Sequence, residues 1–352
     1  MSNQAPFLNL PAHVVSDILS RLPPKTIIQC KSVCKSWLSL LSESEFTNLH
    51  LLRSPPCLII NNLDYHPSDL NCFSLVEFED QPDHHDFQYV AGTKIKAPKG
   101  CVVENGATAT MVGSINGLIC LNEFDHKHDA VCLWNPIIRE SITLPIHRGG
   151  EETESWRRIG HAPFLYNSCR PHGVFLNGNL HWLIGDQAGS ELISCFDLET
   201  ELFSPFPAPP ELSKDFNLAC LGLFAGCLSL CDNTSDYEIV IWVMKEYGIT
   251  KLWTKEIVID KEPADLVGPS FEVVRVFKVF EDGNILLLWR DDILLSYDSR
   301  RQILHQSGVH KLIKKIDDQM NEDGYPCIEV MEYVPTFLSL ESFGIQMMES
   351  IN

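Results

Sequence analysis

Apolar residues between Leu10 and Leu52 recur at helical spacing. Val14, Val15, Ile18, Leu19 and Leu22 fall at i, i+1, i+4, i+5 and i+8, which is one face of a helix. Pro11 stands at its start, where a fixed φ and a missing N–H cost nothing, and Pro23-Pro24 ends it. A second short helix is expected from about Lys25, carrying Ile27 and Ile28. A third is expected from near Ser32, presenting Val33, Trp37, Leu40 and Leu41. Ser44 is placed to cap a further turn through Phe46 and Leu49. Such a unit is too short to bury a core of its own. It either packs on the chain downstream of it or leaves apolar surface for a partner.

After Ser54-Pro55-Pro56 the period changes. Short apolar runs separated by turn residues predict strands over 57–60, 73–78 and 89–98. Four units then repeat one plan: a glycine turn, an apolar strand, a polar break and a second strand ending near an aromatic. They are NGLICL (116–121) with VCLWNP (131–136), NGNLHWL (177–183) with LISCFD (192–197), AGCLSL (225–230) with YEIVIW (237–242), and DGNILLL (282–288) with ILLSYD (293–298). Gly117, Gly178, Gly226 and Gly283 lie 61, 48 and 57 residues apart. Strand pairs at a period near 50 predict propeller blades, with glycine where the turn needs φ > 0. The alternative is a large irregular β-sandwich. A short helix is expected over 309–320 and a closing strand over 332–340. The fold class is therefore multidomain α+β: a small three-helix module over 8–53, then an all-β propeller-like domain over 54–345.

Composition narrows the function. The 352 residues hold 47 acidic and 27 basic side chains, for a net charge of −20. This argues against nucleic acid and anionic membrane as partners. Residues 10–53 are the exception, with Arg21, Lys25, Lys31, Lys35 and Arg53 against Asp17, Glu43 and Glu45. A locally basic module suits an acidic partner. No apolar run is long enough to cross a membrane, and the first residues lack the pattern of a secretory signal. Thirteen scattered cysteines with no C-x-x-C pair suggest a reducing compartment, cytoplasm or nucleus, and no zinc ribbon.

Candidate chemistry is sparse. Phosphate-binding loops, dinucleotide fingerprints, nucleophile elbows and H-E-x-x-H zinc sites are all missing from the sequence. His84 and His85, and His126 with His128, sit among acids in polar loops and read as exposed rather than metal-binding. His181-Trp182 reads as a packed aromatic pair, and Cys227 and Cys231 as thiols on one strand face. No cofactor, metal or catalytic residue is expected.

Two stretches resemble known families. LP-x6-IL-x-RLP-x-K, V-C-K-x-W and F-x3-HL resemble the F-box, which docks on Skp-family adaptors. The resemblance implies that Leu10, Pro11, Ile18, Leu19, Leu22, Pro23, Val33, Cys34 and Trp37 lie at or beside the adaptor interface. His13 stands where the family usually carries an acid. GSINGLICL…LWNPIIRESITLP, GVFLNGNLHWL…ISCFDLETELF, EDGNILLL…LLSYDSRRQIL and EYVPTFLSLES resemble the F-box-associated, kelch-like interaction region of plant F-box proteins. Family members carry about one more blade of chain between LWNP…LP and GVFLNG. An incomplete blade is therefore expected near 146–172, with a mobile loop over 148–155. Together the resemblances imply a non-catalytic substrate-recognition subunit of an SCF-type ubiquitin ligase. It would join a Skp adaptor, through it a cullin, and an unidentified target protein. The alternatives are a non-degradative Skp-binding protein and a ligand-binding propeller.

Overall fold

Helix formation at the start of the chain follows its prolines. α1 (Ala12–Leu19) begins after Pro11, whose ψ of 144° makes it the cap rather than the first helical residue. α2 (Pro24–Cys30) has the N-terminal proline instead, with Pro23 as its cap. α3 (Lys35–Leu40) starts three residues later than the sequence predicts, because Cys34 is extended and its sulfur accepts the Trp37 N–H at 3.5 Å. The expected last turn is a full helix, α4 (Ser44–Arg53), with Glu43 at its N-cap position and no side-chain capping hydrogen bond there, from Ser44 or from Glu43. The module thus has four helices where three were expected. The computed structural model of the chain describes residues 10–62, 72–78, 89–96, 110–125, 128–144, 173–185, 191–212, 219–261, 273–280, 282–289, 293–306 and 328–340. Among these, no helix is long and apolar enough to cross a membrane.

Beyond the helices the described chain forms five four-stranded sheets, four of them antiparallel throughout. One joins the ends of the chain in the order β20-β1-β2-β3, from β1 (Cys57–Asn62), β2 (Cys72–Phe78), β3 (Tyr89–Lys96) and β20 (Ile328–Tyr333). The next runs β4 (Thr110–Ile115), β5 (Leu118–Asp125), β6 (His128–Asn135), β7 (Glu140–Leu144). The others have the same up-and-down plan. They are β8 (Val174–Leu176) to β11 (Leu202–Phe206) through β9 (Asn179–Gly185) and β10 (Glu191–Asp197), then β12 (Ala219–Phe224) to β15 (Trp253–Asp260) through β13 (Cys227–Asp232) and β14 (Glu238–Met244). The last is β16 (Val274–Val279), β17 (Ile285–Trp289), β18 (Ile293–Asp298) and β19 (Ile303–Gln306). This is propeller-blade topology. All five described sheets have four strands. The incomplete blade expected near 146–172, the loop over 148–155 and the helix over 309–320 lie outside the described residues.

Two compact units result. In the first, Cys57, Ile59, Phe73, Leu75 and Tyr333 of the terminal sheet pack on Met111, Ile119, Leu121 and Trp134 of the sheet β4–β7. Phe73 meets Trp134 edge-on at 5.0 Å between ring centroids. In the second unit the sheet β12–β15 is buried on both faces. Leu221, Leu230 and Trp242 pack with Ile193 and Phe206 on one side. Cys231, Ile241 and Ile259 pack with Leu287, Leu295 and Tyr297 on the other. Burial on both sides explains the unbroken apolar run of β14, where a half-buried strand would alternate.

Turns at one end of the sheets share two designs. The first–second strand turns place Asn116-Gly117, Asn177-Gly178 and Ala225-Gly226 at positive φ, from 48° to 79°, as two-residue hairpins with the sheet's own twist require. In three sheets the third–fourth strand turn is a five-residue Asx turn, whereas β14 and β15 are joined by a longer connection over 245–252. Asp197 Oδ1 accepts the Glu199 and Thr200 N–H groups at 2.8 and 2.9 Å. Asp298 Oδ1 does the same for Arg300 and Arg301 at 2.9 and 3.0 Å. Asn135 Oδ1 accepts from Ile137 and Ile138 at 3.0 and 3.4 Å. In each turn the residue four positions on (Arg139, Glu201, Gln302) has positive φ.

Candidate functional site

The helical module has one small core. Val15, Leu19, Ile27, Leu41 and Phe46 form it, with Leu22, Cys30, Trp37 and Leu40 at its margin. That assignment sorts the nine residues singled out from the sequence. Leu10, Ile18 and Val33 are exposed, Val33 by 65%. Leu22, Cys34 and Trp37 are half-buried, and Pro11 and Pro23 are the exposed N-cap residues of α1 and α2. Leu19 is different: it is 5% exposed and belongs to the core. Sequence reasoning passed over Ile28 and Leu38, which are also exposed. Neighbouring positions on a helix lie about 100° apart, so Ile27 and Ile28 could not both point inward on a seven-residue helix. That was the available signal.

The module is seated on one end of the sheet β4–β7. Ile137 and Ile138, in the turn after β6, pack against its core, and so does Phe337. Phe337 comes from residues 334–340, which continue from β20 as an extended strap; the strand expected over 332–340 ends at Tyr333. Asn135 holds the strap. Its Nδ2 donates to Thr336 O at 3.2 Å and Leu338 O at 2.8 Å, while its Oδ1 caps its own turn. Glu140 Oε2 accepts from Ser339 Oγ and the Leu340 N–H, both at 2.8 Å. Thr336 and the Val334 carbonyl lie directly over Gly117.

Two cationic-type side chains flank Phe337. Lys31 Nζ lies 5.0 Å from its ring centroid, and burial pushes the amine below its usual range while Glu140 opposes this. His50 meets the ring edge-on at 5.0 Å and is almost fully buried. Its Nε2–H donates to Leu22 O at 3.2 Å and its Nδ1 accepts from Ser54 Oγ at 2.9 Å, an arrangement that fits the neutral ring. Burial holds its pKa below the ordinary 6.5, partly offset by the Leu22 hydrogen bond. In the second unit His181 is also lowered by burial. Its Nδ1–H donates to Val174 O at 3.1 Å and its Nε2 accepts from Tyr247 Oη at 2.7 Å. For both histidines the unfolded chain binds more protons once the pH drops below 6.5. Their contribution to stability is therefore constant above that value and declines as the pH falls towards the folded-state pKa. NMR titration is expected to show midpoints below 6.5 for both rings; midpoints at or above 6.5 would contradict the burial argument.

On the module's surface Arg53 ties α4 to α1. It donates to Asp17 O at 3.1 Å and Ser20 Oγ at 2.6 Å and pairs with the Asp17 carboxylate at 2.8 Å. Hydrogen bonds from Arg53 and then Arg21 hold that carboxyl below its usual range. Candidate chemistry elsewhere resolves into packing. His181 and Trp182 do not stack together, because adjacent strand residues face opposite ways. His181 packs edge-on against Phe206 and Tyr247, and Trp182 lies near Phe203. Cys227 and Cys231 do share one face. His84, His85 and His126 lie outside the described residues, and the described residues hold no cluster of three metal-ligating side chains.

The described chain thus combines a helical module that leaves apolar side chains exposed with four-stranded sheets of propeller-blade topology. Residues 7–49 match the F-box domain and residues 150–340 match the F-box associated beta propeller domain. The chain belongs to that family of F-box proteins. The F-box protein At3g07870 of Arabidopsis thaliana is 24% identical over 371 residues, covering 83% of this chain and 85% of that protein. The F-box/kelch-repeat protein At3g23880 of the same plant is 24% identical, covering 70% and 78%. The F-box protein CPR1, also from Arabidopsis thaliana, is 24% identical, covering 80% and 82%.

Proposed function

We propose that this chain is the substrate-recognition subunit of an SCF-type ubiquitin ligase, acting in the cytoplasm or nucleus and supplying geometry rather than catalytic groups. One observation supports docking above others. The F-box leaves Leu10, Ile18, Ile28, Val33 and Leu38 exposed on a core of five side chains. A soluble module of this size gains nothing from such a surface unless a partner covers it. Val33, Ile18 and Leu10 would be the contacts with a Skp-family adaptor, joined by Ile28 and Leu38. Leu22, Cys34 and Trp37 would line their edge, Pro11 and Pro23 would set the helix ends, and Leu19 would support the surface from within. Through the adaptor the chain would reach a cullin. Holding a target lysine near a thioester-charged enzyme raises effective concentration, and that is the contribution asked of this subunit.

The position of the F-box favours one rim for the target. It occupies the end of the sheet β4–β7 that carries the turns at 116–117 and 136–139. The Asp125–His128 ends of β5 and β6 are opposite, roughly 20–25 Å away along β5. Target binding is assigned to that far end, where a protein can approach without meeting the adaptor. The docking test is capture of the purified chain on an immobilised Skp-family adaptor. Val33→Asp with Ile28→Asp is expected to lower affinity by about thirtyfold or more, as for residues central to an interface. Both side chains are exposed, so the helices should stay folded. Undiminished capture would overturn the docking surface. Leu19→Asp is a poor probe, because it would unfold the core.

A further inference from the structure

We propose that the F-box of this chain is completed by the C-terminal strap, so that it is competent to dock only when residues 334–340 are clasped against the turn after β6. The proposal rests on the docking reading above for its consequence, but not for its structural content. The helices span residues 12–53, a length at which a single core seldom sustains itself. Their core is finished by Phe337, which is 5% exposed and contacts the cluster of Val15, Leu19, Ile27, Leu41 and Phe46. Lys31 from the end of α2 and His50 from α4 both lie against the Phe337 ring, so the strap touches two helices at once.

What places Phe337 is not the F-box. Asn135 grips the carbonyls on either side of it, at Thr336 and Leu338, and Glu140 grips the next two residues. The strap itself continues from β20, which pairs with β1 in the sheet that joins the two ends of the chain. Cys57 Sγ donates to the Tyr333 carbonyl at 3.1 Å at the point where the strap leaves that sheet. The first element in the sequence is therefore finished by nearly the last described one. A chain lacking its final strand would carry the F-box sequence and an unfinished F-box fold. Docking is thereby made conditional on closure of the terminal sheet.

The test uses the full-length chain and its Phe337→Ala and Phe337→Leu variants. Amide hydrogen exchange is monitored in the free protein over 12–53 and over β12–β15, and capture on an immobilised Skp-family adaptor is measured in parallel. Phe337→Ala is expected to speed exchange in the helices about a hundredfold while β12–β15 keep their protection, with Phe337→Leu between it and the parent chain. Capture should fall in the same order. Helices that stay as protected in Phe337→Ala as in the parent chain would overturn the proposal. So would full capture by a Phe337→Ala chain whose helices exchange freely, since the adaptor would then be folding the module by itself. A parent chain that captures no adaptor would instead refute the docking reading, and the exchange data would still decide whether the strap completes the F-box.

Discussion

Asn135→Asp is expected to destabilise the unit that holds the F-box by about 4 kcal/mol at neutral pH, although only one atom of the side chain changes character. Asn135 is fully buried and works in both directions. Its oxygen accepts the Ile137 and Ile138 N–H groups, and its amide nitrogen donates to the Thr336 and Leu338 carbonyls. Aspartate keeps the first task and fails the second, setting a carboxylate against two carbonyl oxygens. Such a group stays protonated to a higher pH in the folded state than in the unfolded chain. The folded variant then binds more protons, so the destabilisation should shrink as the pH falls through the raised pKa. Chemical denaturation at pH 7 and pH 5 tests this; equal losses at the two values would refute the carbonyl clash. Asp197→Asn is the control. Asp197 only accepts, from Glu199 and Thr200, and an amide oxygen can do the same, so stability should change far less.

That contrast explains how much of the fold could be read from the chain. The asparagine of LWNP and the aspartates of CFD and SYD close the same turn, and nothing local shows that the first has a second duty about 200 residues away. The inner strands of four sheets were legible because β5, β6, β9, β10, β13, β14, β17 and β18 are dense apolar runs behind glycine turns. Outer strands were not. β7, β11 and β15 keep one face open, as in the burial of β15, where only Trp253 and Ile259 are buried. Their composition, with Ser141, Thr143, Pro205 and three charges between 255 and 260, matches that of loops. The late start of α3 and the extra helix α4 arose in the same way, from a sulfur cap at Cys34 and a long polar helix surface with little apolar period.

The exposed apolar set proposed for docking was partly legible for a different reason. The resemblance to the F-box supplied Leu10, Ile18, Val33 and Trp37 as a set with Leu19, but could not separate exposed side chains from core ones. Burial does: Leu19 points into the core that Val33 lies outside. The role of Phe337 was beyond any local pattern. Helical periodicity reports which residues face inward, and it is silent on what meets them when that partner lies almost at the other end of the chain.

Gly117→Ala carries the second large effect, expected at about 3 kcal/mol or more. Two costs add there. The residue sits at φ of +75°, a region that a Cβ disfavours. A Cβ at this position would also overlap Thr336 Cγ2 and lie 2.6 Å from the Val334 carbonyl oxygen. Backbone cannot swing aside as a flexible side chain can, so the strap itself must shift. Gly226 separates the two costs. Its φ is +79°, and no atom lies within 4 Å of a Cβ built on it. Gly226→Ala should therefore lose only about 1 kcal/mol, the conformational part. The excess at Gly117 measures how tightly the strap is pressed onto the hairpin. Displacing the strap also draws Phe337 from the helical core, so the Gly117 variant should loosen α1–α4 along with its own sheet. Thermal unfolding of both variants, with exchange over 12–53, distinguishes these contributions. Equal losses for the two alanines would mean that the strap yields freely, and that Asn135 and Glu140 alone hold Phe337 in the F-box.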